Sequence, residues 1–417
     1  MLSRPPCNRS ARAWWDGSRR KRKMAFKSGR HFLQLPGPTN VPERIRRAMS
    51  RPTIDHRGPE FADLTLRLLD GLGEIFGADA GVLVYPSSAT GGWEAALANT
   101  LSPGDRILVC VGGFFSKKWA GVARALGLQV DELVVDTRRA VDPTAVAARL
   151  ANDHERFIKA VCVVHNETST GVTSDVSALR PAIDETGHPA LLMVDAVSSL
   201  GCTEFRHDDW GIDVTVSGSQ KGLMLPPGLS FVAVSGKALE AHGSATLARS
   251  YWDWSVMREF NARGFFPYTP ATNLLFGLDE AVAMLREEGL DQTFARHARH
   301  AAATRRAVEG WGLDTYCQDA AAHSNAATSV VVPEGSDAEH LCAVLRERFD
   351  MSVCTGLGEL KGTVFRIGHL GDLNSLMLAG ALSGVEMGLA VAGIPHSQGG
   401  VSAALQFLAA GEEGLSS

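Results

Sequence analysis

Short apolar runs alternate with longer helical patterns from about residue 80 onward. The runs predicted to be strands span residues 82–85, 107–111, 161–164, 191–194, 214–216 and 231–234. Between most of them, apolar residues recur at helical spacing, as in residues 119–126 and 145–150. Strands that are apolar along their whole length are covered on both faces. The pattern therefore predicts an α/β fold with a mainly parallel sheet and helices on both faces.

The pattern changes after about residue 285. A long helical stretch over residues 294–308 precedes three short strand-like pieces at 329–332, 352–354 and 364–367. We interpret this part as a second, smaller α+β domain. The predicted organisation has four parts: a basic extension (1–30), an N-terminal arm (31–50), a large domain (51–285) and a small C-terminal domain (286–417).

Composition separates the basic extension from the rest of the 417-residue chain. The extension contains ten Lys or Arg and one acid, Asp16, a net charge of +9, whereas the remainder has 31 basic and 45 acidic residues, a net charge of −14. An acidic body argues against nucleic-acid binding, which depends on Lys and Arg. We interpret the extension as a disordered segment, an organelle transit peptide, or the result of a start assigned upstream of Met24, and favour the last.

Several other classes of protein are excluded by the sequence. No run reaches the roughly 18 apolar residues that span a membrane. The seven cysteines contain no CxxC pair and several lie in apolar runs, which favours buried, reduced thiols over disulfides or a zinc site. His297 and His300 lack a third ligand nearby, and we interpret them as part of a basic helix face. We expect a cytoplasmic protein without a metal ion or a membrane partner.

An acid and an amine follow two of the predicted strands. Asp195 comes directly after the run 191–194, and Lys221 follows the run 214–216 closely. Ligands of parallel sheets bind beyond the carboxyl ends of the strands, so both side chains are expected at one site. Pyridoxal phosphate (PLP) chemistry needs this pair, because the amine forms a Schiff base and the carboxylate keeps the pyridine nitrogen protonated. Alone, each residue has an ordinary structural explanation, such as a helix cap or turn for the aspartate.

A loop rich in small and hydroxyl side chains, residues 86–94, joins the strand 82–85 to a helical run. A strand-to-helix turn of this kind presents backbone N–H groups to an anion. The loop matches neither a Walker loop nor a dinucleotide-binding glycine pattern. Its interpretation as a phosphate site, and not as a flexible turn, depends on the lysine and aspartate elsewhere.

Seven motifs occur in order along the chain. They are PGPTNVP at 36–42, SATGGWE at 88–94, HNETSTG at 165–171, VDAVSS at 194–199, GSQKG at 218–222, FPYTP at 266–270 and FRIGH at 365–369. From about residue 32 to about residue 400, the chain resembles the fold type I, class V PLP-dependent aminotransferases, and within them the glyoxylate aminotransferases. The resemblance implies a mainly parallel seven-stranded sheet, a smaller α+β C-terminal domain and a homodimer.

The resemblance also implies roles for individual residues. Lys221 would be the Schiff-base lysine and Asp195 the partner of the pyridine nitrogen. The other cofactor contacts would come from Ser88, Ala89, Thr90, Phe115, Thr168, Gln220 and, from a neighbouring subunit, Thr269. The substrate would lie against Gly37, Asn40 and Arg366, with the guanidinium binding its carboxylate. Ala89 stands where many relatives carry glycine.

The activity that the resemblance implies is transfer of an amino group from L-serine to glyoxylate, giving hydroxypyruvate and glycine. Alanine or aspartate are the alternative donors. A lyase such as a cysteine desulfurase would need an exposed reactive cysteine, and Cys354 beside a glycine-rich segment is the candidate. A binding protein that has lost turnover is the remaining alternative, and the intact set Lys221, Asp195 and Arg366 argues against it.

Overall fold

The computed structural model describes residues 28–410. These residues form strands β1 to β15 at Phe32–Leu33, Val82–Tyr85, Arg106–Val111, Gln129–Val134, Ile158–Val164, Asn166–Glu167, Val172–Thr173, Leu191–Asp195, Val214–Gly218, Ser230–Val234, Asp314–Thr315, Ala327–Val331, Met351–Ser352, Cys354–Thr355 and Val364–Gly368. They also form helices α1 to α13 at Glu43–Met49, Pro59–Phe76, Ala89–Thr100, Phe114–Ala125, Pro143–Ala151, Leu179–Glu185, Gly236–Ser244, Trp254–Asn261, Thr272–Glu288, Leu290–Gly310, Ala338–Arg348, Ser375–Val391 and Gly400–Ala410.

A seven-stranded sheet forms the centre of the molecule, in the order β2-β10-β9-β8-β5-β3-β4. Its neighbouring strands are parallel except around β10, which is antiparallel to both β2 and β9. Every residue of β2, β8, β9 and β10 is buried. Because successive side chains point to opposite faces, burial throughout a strand requires cover on both sides. The predicted fold class is confirmed.

One strand of this sheet, β4, does not show as an apolar run in the sequence. It lies at the edge of the sheet and pairs with β3 alone. Its six residues are exposed or half-buried and include Gln129, Asp131 and Glu132. An edge strand that is partly solvated has no need of the continuous apolar sequence that marks the interior strands.

Two hydrophobic cores lie one after the other along the chain. The first surrounds the central sheet and draws its buried members from Ile45 to Leu285. The second, from Ala303 to Leu408, packs around a four-stranded antiparallel sheet with the order β11-β12-β15-β14. We propose a division between residues 51–285 and 286–417 on this basis, since each part encloses a core of its own.

The prediction of one continuous strand at residues 352–354 is wrong. It separates into β13 and β14, with Val353 between them. β14 joins the small sheet, whereas β13 pairs in parallel with β1, placing Phe32 opposite Met351. This pairing attaches the N-terminal arm to the C-terminal part of the chain. Residue-by-residue sequence patterns cannot show which partner a short strand selects.

The interpretation of His297 and His300 as part of a basic helix face is also wrong. Both lie on the buried side of α10, with 1% and 2% of their surface exposed. The Nε2 atom of His297 accepts from the Gly371 amide at 3.0 Å, and its Nδ1–H donates to the Thr293 carbonyl at 2.7 Å. Burial, and then the neighbouring Arg296, lower the pKa of His297 to about 3, so the ring is neutral.

Other sequence expectations concern cysteines, metal ions and membranes. Of the six cysteines within residues 28–410, all free, five are buried and Cys354 is half-buried. In that same range no three His, Cys, Asp or Glu side chains are grouped to hold a metal ion. None of the described helices has the length and apolar character needed to cross a membrane. Residues 1–27, with Cys7 and Met24, lie outside the described residues, as do 411–417.

Candidate active site

A cavity of about 360 Å³ opens at the carboxyl ends of the central strands. Asp195 is the last residue of β8, and Lys221 lies three residues after the end of β9. The predicted residues that line this cavity are Gly37, Ser88, Ala89, Thr90, Phe115, Thr168, Asp195, Gln220 and Lys221. The fold thus brings together residues that are far apart in the sequence, at the place where parallel sheets bind ligands.

Asp195 is a buried carboxylate that is held from both sides. Its Oδ1 atom accepts from the Val197 amide at 2.8 Å, and its Oδ2 atom accepts from the Trp93 indole Nε1 at 2.8 Å. Burial raises the pKa of Asp195 to about 7, although both hydrogen bonds oppose the rise. A cationic group in the cavity would favour the ionised carboxylate, so the site suits a ligand with a protonated ring nitrogen.

Trp93 is a functional candidate that the sequence analysis did not single out. Besides donating to Asp195, its ring stacks on Trp119, with centroids 5.7 Å apart and planes 13° apart. Both rings are buried. The stack fixes the indole orientation and hence the position of the Asp195 carboxylate. Its place in the motif SATGGWE was the only sequence signal, because a tryptophan in the first turns of a helix is otherwise indistinguishable from a core residue.

Lys221 is buried beneath the N-terminal arm. Its Nζ atom donates to the Pro36 carbonyl. Burial, and then the positive charge of Arg366, lower the pKa of Lys221 from its ordinary value of 10.5 to about 8. A larger fraction of the amine is therefore neutral near physiological pH, as a nucleophile or proton acceptor requires.

Gly37 lies directly against the Lys221 side chain. Its φ is +106°, a region that favours glycine, and a Cβ built there would lie 2.4 Å from Lys221 Cδ and 2.6 Å from Nζ. The arm is held in place by the Thr39 amide, which donates to the Gln220 carbonyl at 3.2 Å. The arm can cover the lysine this closely because residue 37 has no side chain.

The N-terminus of α3 forms the predicted anion site. Ser88 is the N-cap residue, its side chain makes no capping hydrogen bond, and Ala89 and Thr90 begin the helix. The first amides of a helix have no intrahelical acceptor and attract anions. Lys118 adds a positive charge, since its Nζ atom lies 3.3 Å from the Thr90 hydroxyl. Ala89 has helical geometry, so the position does not require glycine.

Arg366 lies behind one wall of the cavity and does not line it. The side chain is buried in β15, where Nη1 donates to the Thr168 carbonyl at 2.9 Å and Nε donates to the Thr355 carbonyl at 3.0 Å. Thr168 itself lines the cavity. The guanidinium is thus one residue away from the space where a substrate carboxylate would bind.

Two predicted site residues lie outside the cavity. Asn40 is exposed and donates to the Leu33 carbonyl at 3.1 Å, which stabilises the arm. Thr269 is exposed on the segment before α9. Within one chain, neither residue lines the cavity.

Asn166 and Ser198 line the cavity without having been assigned a role. The Asn166 side-chain amide lies 2.8 Å from the Ser198 hydroxyl, which in turn donates to the Asn166 carbonyl at 2.9 Å. Both residues belong to motifs that carried the resemblance, HNETSTG and VDAVSS. Motif membership was the only sequence signal for them.

The fold and the cavity define a transaminase, with a buried lysine and a buried aspartate beside a helix N-terminus at the carboxyl edge of the sheet. The chain belongs to the class-V aminotransferase family, whose model, described as Aminotransferase class-V, matches residues 47–360.

Relatives and solved structures support this assignment. The chain is 45% identical to serine–glyoxylate aminotransferase of Methylorubrum extorquens over 387 residues, covering 91% of this chain and 96% of the relative. It is 43% identical to L-aspartate–glyoxylate aminotransferase of Paracoccus denitrificans, covering 89% and 94%. The structure is similar to pyridoxamine–pyruvate aminotransferase from Mesorhizobium loti, with a TM-score of 0.86, 28% identity and coverage of 92% and 98%.

Membership of this family implies PLP, and the residues present fit it. The cavity offers an amine, a carboxylate whose two hydrogen bonds come from neutral donors, and a helix N-terminus beside a lysine. Its volume of about 360 Å³ lies near the lower end of the range for ligand pockets. That size suits a small cofactor with a small substrate.

Replacing Gly37 with alanine should weaken PLP binding by about tenfold or more, because the added methyl group would displace the Lys221 side chain. Absorbance titration of the apo-protein with PLP measures this. Gly104→Ala is the matched control, since Gly104 has a similar φ of +84° but nothing within 4 Å of a built Cβ. Equal affinities in the two variants would show that the contact with Lys221 is unimportant.

Proposed function

We propose that the protein transfers the amino group of L-serine to glyoxylate, giving hydroxypyruvate and glycine in a ping-pong reaction. The observation that carries the choice of substrates is the 45% identity, over 91% of the chain, to a serine–glyoxylate aminotransferase. The buried pair Lys221 and Asp195 supports the reaction type. PLP, when bound, supplies an electron sink for the charge left on the substrate α-carbon.

Lys221 is proposed to hold the cofactor and to move the proton. When free, its Nζ atom would accept the proton of the substrate α-carbon and later return it, as general base and then general acid. The pKa of about 8 suits both tasks near neutral pH. The N-terminal arm covers this amine, which donates to the Pro36 carbonyl.

The remaining side chains are proposed to hold and orient the ligands. Asp195 keeps a proton on the pyridine nitrogen, because an ionised carboxylate favours the charged ring. Phe115 would cover the ring, and Thr168 would lie near its oxygen substituent. The phosphate contacts are assigned to Ser88, Ala89, Thr90 and Gln220.

Arg366→Ala should raise the KM of both substrates by about tenfold or more, because the buried positive charge that attracts the substrate carboxylate from behind Thr168 is lost. The visible band of the bound cofactor should remain, since Lys221 is still present to hold it. Steady-state kinetics with both substrates measures the effect, with Arg124→Ala, an exposed arginine on α4, as control. Unchanged KM values would remove Arg366 from substrate binding.

The choice of amino donor is tested by comparing serine, alanine and aspartate, each with glyoxylate as acceptor. We expect the highest kcat/KM for serine. A highest value for aspartate would support the activity named for the Paracoccus denitrificans relative. A highest value for alanine would overturn the proposed donor in the same way.

We also propose a homodimer in which the partner subunit's Thr269 completes the phosphate site. Its support is the exposure of Thr269 and its position outside the cavity of its own chain. Light scattering should give about twice the chain mass of 44.5 kDa. Thr269→Ala should weaken PLP binding by a few-fold, about the effect of one lost hydrogen bond. An active monomer would contradict both expectations.

A further inference from the structure

Glu167 is a buried acid between two walls of the cavity, with 5% of its surface exposed. It lies in the short strand β6, within the motif HNETSTG. Its carboxylate does not line the cavity, so a direct contact with substrate is not its task. Its hydrogen-bond partners show what it holds.

The carboxylate binds the start of α4, the helix that carries Phe115. Its Oε2 atom accepts from the amides of Phe115 and Ser116, both at 3.1 Å, and from the Ser116 hydroxyl at 3.2 Å. Its Oε1 atom accepts from the Ser169 hydroxyl at 2.5 Å. The Ser169 hydroxyl oxygen in turn accepts from the Phe114 amide at 3.0 Å. The three first amides of α4 are therefore satisfied by a loop more than 50 residues away in sequence, at a helix end that favours negative charge.

Glu167 packs so closely against Gly113, the residue directly before α4, that no side chain fits there. A Cβ built on Gly113 would lie 2.4 Å from Glu167 Cγ and 2.7 Å from the Ser169 hydroxyl oxygen. The φ of Gly113 is 172°, which any residue can adopt. Glycine is therefore needed at residue 113 because Glu167 packs against it, and not because the backbone there is unusual.

The segment that contains Glu167 also forms the opposite wall. The next residue, Thr168, lines the cavity, and its carbonyl accepts from Arg366 Nη1 at 2.9 Å. Residues 167 and 168 therefore contact both the helix that carries Phe115 and the arginine assigned to the substrate.

We propose that Glu167 is a positioning residue whose carboxylate holds Phe115 against the ring of the cofactor. The proposal rests on the proposed function, because it needs PLP in the cavity. Replacing the carboxylate removes the negative charge at the N-terminus of α4 and one of the two acceptor oxygens, and a buried donor left unsatisfied is costly enough to shift the first turn. The Phe115 ring moves with that turn.

A double-mutant cycle on the full-length protein tests the proposal. PLP affinity of the apo-protein is measured by absorbance titration for Glu167→Gln, for Phe115→Leu and for the pair, with the visible circular dichroism of the bound cofactor as a second readout. We expect Glu167→Gln to weaken PLP binding by about tenfold. In the Phe115→Leu background the same change should cost less than about threefold, because the ring that it positions is absent.

Two further variants complete the test. Asp142→Asn removes the carboxylate that caps α5 through the Thr144 amide and should leave PLP affinity unchanged. Gly113→Ala displaces Glu167 without altering its charge and should reproduce the loss of affinity and the change in circular dichroism. It also serves if Glu167→Gln does not fold.

The outcomes separate this proposal from the proposed function. Additive losses in the cycle, with a wild-type enzyme that binds PLP and transaminates, would overturn only the role of Glu167. Failure of both Glu167→Gln and Gly113→Ala to fold would assign Glu167 to stability and overturn the proposal too. A wild-type protein that binds no PLP would overturn the proposed function and this inference with it.

Discussion

Lys221→Ala is expected to abolish the visible absorbance band of the bound cofactor and to lower kcat by at least about a thousandfold. The variant lacks both the amine that holds the cofactor covalently and the group that moves the α-proton. Within residues 28–410, no other lysine lies at this depth in the cavity: Lys118 lines it, but is exposed and lies beside the Thr90 hydroxyl. Absorbance spectra and steady-state transamination kinetics measure the two effects.

Lys237→Ala is the matched control for this experiment. Lys237 is an exposed lysine of α7 that donates to the Ala190 carbonyl at 3.0 Å, at the other end of the central strands. It should leave the cofactor band and the rate unchanged. A Lys221→Ala variant that kept the band would require another residue to hold the cofactor.

Asp195→Asn should lower kcat by at least about a hundredfold while the covalent link to Lys221 persists. An amide cannot hold a negative charge, so the pyridine nitrogen loses the partner that keeps it protonated. The amide also fits poorly, because both carboxylate oxygens accept hydrogen bonds at 2.8 Å, from Val197 and Trp93. Single-turnover kinetics with serine measures the chemical step apart from binding.

Trp93→Phe should have a smaller effect of the same kind. It removes one of the two hydrogen bonds that lower the pKa of Asp195, and therefore raises that pKa further. Asp175→Asn, at an exposed acid, is the control and should behave as wild type. A rate for Asp195→Asn equal to that of the control would exclude Asp195 from the chemistry.

The interior strands and the lysine–aspartate pair could be predicted from sequence because their signals are local. Strands buried on both faces must be apolar throughout, so 191–194 and 231–234 were recognisable. An aspartate directly after such a strand lies at the ligand-binding edge of any parallel sheet. The edge strand β4 escaped detection because partial solvation permits polar residues.

Other features depend on contacts between distant parts of the chain. His297 and His300 lie in a sequence rich in Arg and Ala that resembles a solvated helix face, yet the C-terminal part of the chain covers them. The hydrogen bond from Trp93 to Asp195 joins residues 102 positions apart. Sequence spacing carries no information about such pairs.

The sequence by itself determined the class of fold, the apolar strands, the pair Lys221 and Asp195, and the family to which the chain belongs. These follow from local periodicity and from motifs, which persist in any chain with the same chemistry. Only the tertiary structure decided that the arm covers Lys221, that Arg366 lies behind Thr168, and that Glu167 holds the helix of Phe115. Each of these depends on packing between segments brought together by folding, where a few ångströms decide whether two groups meet.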